Sequence, residues 1–101
     1  MRLSIHAQQR WNERCGHLSL PVEIGSWRPA SKATLNRLRR SWERSQGVAT
    51  WPADHLYMTS PGGALFVIAN DVVITVMLMR DIKRWHRRQD KDDRARRRGA
   101  L

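Results

Sequence analysis

A chain of 101 residues with 41% apolar content and five tryptophans has material for one compact core and is too short for two domains. Its 19 Lys+Arg against 9 Asp+Glu leave a net charge of +10, and only Lys32, Lys83 and Lys91 of those cations are lysine. That balance excludes a DNA mimic and points to an anionic partner, nucleic acid before an acidic protein, because the arginine fork matches phosphate geometry.

Ser4 is a candidate N-cap for a helix running to about Cys15, with Gly16 as its stop. Ala7, Trp11 and Cys15 repeat every four residues and form its expected core stripe. Cys15 is the single cysteine, so neither an internal disulfide nor a cysteine-based zinc site is expected. One reduced thiol, and no apolar run behind Arg2 to make a secretory signal, fit a cytoplasmic protein. Residues 17–30, HLSLPVEIGSWRPA, carry two prolines and a glycine and read as a connecting loop. Ser31 is placed to cap a second helix over Lys32 to Ser45, closed by Gly47. Its buried side is Leu35, Leu38 and Trp42, with Arg37, Arg40 and Arg44 nearly opposite and Arg39 on the same helix.

From Val48 the pattern turns to β. HLYMTS at 55–60 is a candidate strand, SPGG at 60–63 a turn, and ALFVIA and VVITVMLM flank the two-residue hairpin loop Asn70-Asp71. Pairing Ala69 with Val72 sets Leu65 beside Val76 and Val67 beside Ile74 on one apolar face. Phe66, Ile68, Val73, Thr75 and Met77 then make a second apolar face, to be covered by a partner copy in a homodimer or by the C-terminal segment. The apolar stretch from Ala64 to Met79 is broken by the loop and too short for a bilayer, so no membrane partner is expected. Asp81 is a candidate cap for a short helix holding Ile82 and Trp85. The expected architecture is α+β: two N-terminal helices on a three- to four-stranded antiparallel meander. It forms one domain over 1–88 with a basic, flexible tail over 89–101.

On helix α-spacing, His6, Arg10 and Glu13 fall within about 60° of one another, at the border of the core stripe. Histidine or glutamate can move a proton and arginine can hold phosphate, as RNA cleavage by 2′-OH attack requires. The same spacing also describes an i, i+3 ion pair between Arg10 and Glu13 with a histidine in the capping turn. The stretch SIHAQQRWNERCG resembles the His-Ala-x-x-Arg-x-x-Glu-Arg-Gly opening of small toxin-like families of the barnase–EndoU–colicin–RelE ribonuclease fold. His6, Ala7, Arg10, Glu13 and Arg14 match it, with Gly16 one position late because Cys15 intervenes. ALFVIANDVVITVMLMR is similar to the late hairpin and arginine of those families. Residues 17–54 follow no pattern assignable to them.

The resemblance implies cofactor-free, metal-independent RNA cleavage. His6 would be general base or acid, Arg10 and Arg80 would hold the scissile phosphate, Glu13 belongs to the matched motif, and His86 would be a second proton-transfer group. A zinc site from His6, Glu13 and His17 would need the first helix to continue, and none is expected; His55 has no evident role. For RNA binding the candidates are Arg14, Arg37, Arg40 and Arg44, then Lys83, Arg84, Arg87 and Arg88, with Trp27, Trp51 or Trp85 to stack on a base. The function expected is a small basic RNA-binding protein of the toxin-like endoribonuclease type. The alternative is a non-enzymatic inhibitor or regulator, of mobile-element or phage type, that uses the same cations and the RARRRGAL tail to bind an acidic host protein or nucleoprotein complex.

Overall fold

Ser4 is the joint from which the fold can be built. The computed structural model describes residues 2–46 and 54–84 and the single positions 87, 91 and 94. Strand β1 (Arg2–Leu3) leads into helix α1 (Ile5–Cys15), and the Ser4 hydroxyl between them accepts from the Ala7 amide at 3.1 Å. The same hydroxyl donates to the Ile74 carbonyl at 3.2 Å, while the Ser4 amide donates to the Val73 carbonyl at 2.9 Å. One serine therefore caps the helix and ties it to a strand seventy residues away.

The chain continues through α2 (Leu20–Gly25), β2 (Arg28–Pro29), α3 (Lys32–Gln46), β3 (Leu56–Thr59), β4 (Ala64–Ala69) and β5 (Val72–Leu78). A further helix, α4, begins at residue 79 and is described over 79–84; positions 87, 91 and 94 are helical as well. The α+β class is as expected, but the sheet has five strands, in the order β1-β5-β4-β3-β2, and is not purely antiparallel. β1 runs parallel to β5, pairing Arg2 with Val72 and Leu3 with Val73. Two-residue strands such as β1 and β2 are too short for alternation to show, and they serve as brief, easily protected sheet edges.

The expected loop at 17–30 holds both α2 and β2. Pro21 lies in the first helical turn, where its missing N–H costs nothing. Pro29 lies on an edge strand, paired with Met58, where a proline is tolerated. The two prolines mark element starts and edges here, not a loop.

The hairpin turn is as expected. Asn70 and Asp71 both take positive φ, 51° and 62°, the two-residue geometry that follows the twist of the strands. The register is not. Ala69 faces Val72 and Ile68 faces Val73, but Val67 then faces Thr75, Phe66 faces Val76 and Leu65 faces Met77. Ile74 is one residue extra, a β-bulge, and its carbonyl is the one Ser4 takes. Past the bulge every partner moves by one residue, so Val73, Val76 and Leu78 share a face that strict alternation would split.

The sheet is covered on both sides. Ala7, Trp11 and Cys15 of α1 pack against Ala64, Phe66, Ile68, Val73, Val76 and Leu78. Trp11 stacks on Phe66 with ring centroids 5.9 Å apart. The alternate residues Leu65 and Val67 pack against Leu38 of α3 and Ile82 of α4. The two long helices therefore lie on opposite faces of the sheet, not together on one. Burying Leu38 and Ile82 is worth about 2 kcal/mol each by area. Because the chain closes its own second face, the apolar hairpin gives no ground for a homodimer. Ser31 caps α3, its hydroxyl accepting from the Thr34 amide at 3.2 Å. The expected stop at Gly47 lies outside the described residues, and Trp42 is 37% exposed where burial was expected. The Met79 amide donates to the Gly63 carbonyl as β5 passes directly into α4, so Asp81 stands in the first turn and not at a cap. Among the described residues no helix is long and apolar enough to cross a membrane.

Candidate nucleic-acid interface

The stripe on α1 resolves into separate jobs. Arg10 Nη1 lies 2.8 Å from Glu13 Oε2, the i, i+3 pair, at a half-exposed position. Arg14 Nη1 donates to the Val76 carbonyl at 3.0 Å and so fastens the last turn of α1 to β5. His6 is exposed in the first turn. Arg80 is exposed in α4, beyond the far end of β5 from the Ser4 joint. From Val73 to Leu78 that is roughly 16 Å of strand. His6 and Arg80 are therefore not brought together, and His86 lies outside the described residues. α1 ends at Cys15, so the helix continuation that would set His17 beside His6 and Glu13 does not occur. Among the described residues no group of three His, Cys, Asp or Glu side chains is placed to hold a metal ion.

Cys15 is a core thiol. Burial pushes its pKa up, the Arg14 cation partly opposing and the Asp81 and Glu23 carboxylates adding to the rise, so the nucleophilic thiolate is disfavoured. Trp27 makes an edge-on contact with Phe66 at 5.2 Å, which commits its ring to the core instead of to a base. Trp51 and Trp85 lie outside the described residues, and His55 is half-buried with Nε2 4.0 Å from Asp54.

The cations gather on the other face. Leu38 and Ile82 anchor α3 and α4 over the same patch of sheet, Leu65 and Val67, so the outer sides of both helices point away from that face. On α3, Arg39 is held by Glu43 at 3.0 Å. Arg37 is half-buried and Arg40 exposed, and neither has a carboxylate within ion-pair distance among the described residues. Arg44 lies one turn further along α3. On α4, Lys83 and Arg84 are exposed, as are Arg87, Lys91 and Arg94. Arg88 lies outside the described residues, as does the expected tail over 89–101 apart from Lys91 and Arg94, which are helical. Guanidinium groups without carboxylate partners keep their donors for an anion.

Comparison with protein-family models, with curated proteins and with solved structures gives no match. The candidate interface therefore rests on its own geometry.

Glu23 of α2 is 6% exposed, and its Oε2 accepts from the Gly62 amide at 2.8 Å. The Ser60 hydroxyl and the Gly62 amide, in that order, hold its carboxyl below the usual glutamate range, against the opposing effect of burial. A Cβ at Gly62 would stand 2.7 Å from Glu23 Oε1 and 2.9 Å from the Leu18 methyl groups, so a side chain there would push both side-chain ends aside. Glu23 clamps the turn between β3 and β4. No local spacing signals it, because its partners Ser60 and Gly62 lie 37 and 39 residues away.

Proposed function

We propose that this protein is a small basic RNA-binding protein that grips the phosphate backbone with the outer sides of α3 and α4. The observation that carries the reading is the shared anchor, Leu38 and Ile82 on Leu65 and Val67, which turns two separate arginine-rich segments into one surface. Binding is favoured over cutting. Arg10 is engaged by Glu13, Arg14 by the Val76 carbonyl, and Arg80 stands far from His6. The ribonuclease reading keeps the opening motif and the exposed His6 imidazole in its support.

Titration of labelled single-stranded RNA over a range of salt tests the proposal. With four or more phosphates neutralised, log K should fall against log salt with a slope of about −3 or steeper. Arg37→Gln with Arg40→Gln should flatten it by about 1.4, and His6→Ala should leave it unchanged. A slope near zero removes the nucleic-acid reading and returns attention to an acidic protein partner. Cleavage of the RNA in the presence of chelator, lost in His6→Ala, would restore the toxin-type enzyme.

A further inference from the structure

β5 has seven residues, and β1 pairs with it only at Val72 and Val73. Residues 74–78, ITVML, therefore run on past the end of β1 with no strand among the described residues on that side, about 17 Å of edge. An apolar run with backbone groups turned outward is a template for a further strand. Its outward carbonyls are taken by α1 and its cap. The Ser4 amide and hydroxyl hold those of Val73 and Ile74 at 2.9 and 3.2 Å, and Arg14 Nη1 holds that of Val76 at 3.0 Å. Thr75 and Met77, paired with Val67 and Leu65, turn theirs to β4 by alternation. The opposite edge of the sheet is closed by different chemistry. Arg28 and Ala30 face β3, and Pro29 between them has no N–H to donate outward.

We propose that Ser4 and Arg14 guard the β5 edge, keeping it from pairing with the β5 edge of a second copy of the chain. The second copy is the occupant because two identical edges meet about a two-fold axis, each completing the other. Antiparallel pairing of β5 with β5 would join two five-stranded sheets into one. Such pairing draws on every second carbonyl of the edge, and with Ile74 and Val76 engaged residues 74–78 offer none before Leu78. Arg14 adds a second obstacle, since a two-fold seam would gather the Arg14 cations of both copies. This role does not depend on the RNA-binding reading.

Sedimentation equilibrium of the full-length protein tests the guard. At about 1 M salt, where charges are screened within roughly 3 Å, the net charge of +10 no longer holds copies apart by itself. The unmodified protein should be monomeric. Arg14→Ala should move the monomer–dimer midpoint to about tenfold lower concentration, and Ser4→Gly with Arg14→Ala lower still. Arg14→Lys, which keeps a charged donor, should remain monomeric, as should Glu23→Gln, which loses a clamp but leaves the edge closed. In the associated variants, hydrogen exchange at the Val76 amide should slow as the edges pair. Arg14→Ala that is folded by its far-ultraviolet spectrum yet monomeric overturns the guard, whether or not the double variant folds. Equal association of Glu23→Gln overturns it too, because pairing would then follow lost stability, and so does association that leaves the Val76 amide exchanging as before. A dimer of the unmodified protein would mean that the edge was never closed.

Discussion

Ser4→Ala is expected to destabilise the protein more than its half-buried position suggests, because one hydroxyl serves two partners. Loss of an N-cap costs about 1 kcal/mol. Loss of the donor to the Ile74 carbonyl, at the bulge, costs about another 1 kcal/mol. For a domain of this size a combined loss of about 2 kcal/mol lowers Tm by roughly 8–16 °C. Glycine caps a helix almost as well as serine, within a few tenths of a kcal/mol, but has no hydroxyl to donate. Ser4→Gly should therefore show only the Ile74 part, about half of the loss, and Ser4→Thr almost none. Urea melts of the three variants, read by tryptophan fluorescence, measure each term. If Ser4→Gly melts with the wild type, the tie to Ile74 contributes nothing; if Ser4→Ala and Ser4→Gly coincide, the cap contributes nothing. Either result breaks the account of how α1 is joined to the bulged strand.

Glu23 should make stability depend on acid. Its folded pKa lies below its unfolded value near 4.5, so its contribution is fully present above that value and is lost as pH falls through the lower, folded one. Melts from pH 6 downward should show that loss, and Glu23→Gln should be less stable at pH 6 with a flatter profile below pH 4.5; an identical profile in the variant would contradict the clamp. Arg14, expected from sequence to hold RNA, donates from Nη1 to the Val76 carbonyl. Arg14→Gln should cost about 1.5 kcal/mol in a melt, the range of a hydrogen bond from a charged donor, and leave the RNA salt slope unchanged.

Much of α1 was readable in the chain. Ser4 before an apolar stripe at Ala7, Trp11 and Cys15 gives a capped amphipathic helix, and all three stripe residues are buried. The turn at Asn70-Asp71 was equally readable, since few residue pairs accept positive φ twice. The bulge at Ile74 was not. A run such as VVITV is apolar in either register, and the extra residue is accommodated by a serine from the other end of the chain. The short α2 was masked by proline, which ends one helix and begins another with the same chemistry. The single arginines of the interface were visible one by one, but not which of them would be occupied. Arg10 and Arg39 met carboxylates three and four residues away, a local matter; Arg14 met a carbonyl 62 residues away, which no spacing rule reaches.

Charge, the α+β class, the first helix and the hairpin turn were determined by the chain alone, because each depends on composition or on neighbours within a few residues. Which sheet face each helix covers was decided only in three dimensions. Leu38 and Ile82 find each other through Leu65 and Val67, and burial of apolar surface specifies no partner until the sheet that supplies it has formed.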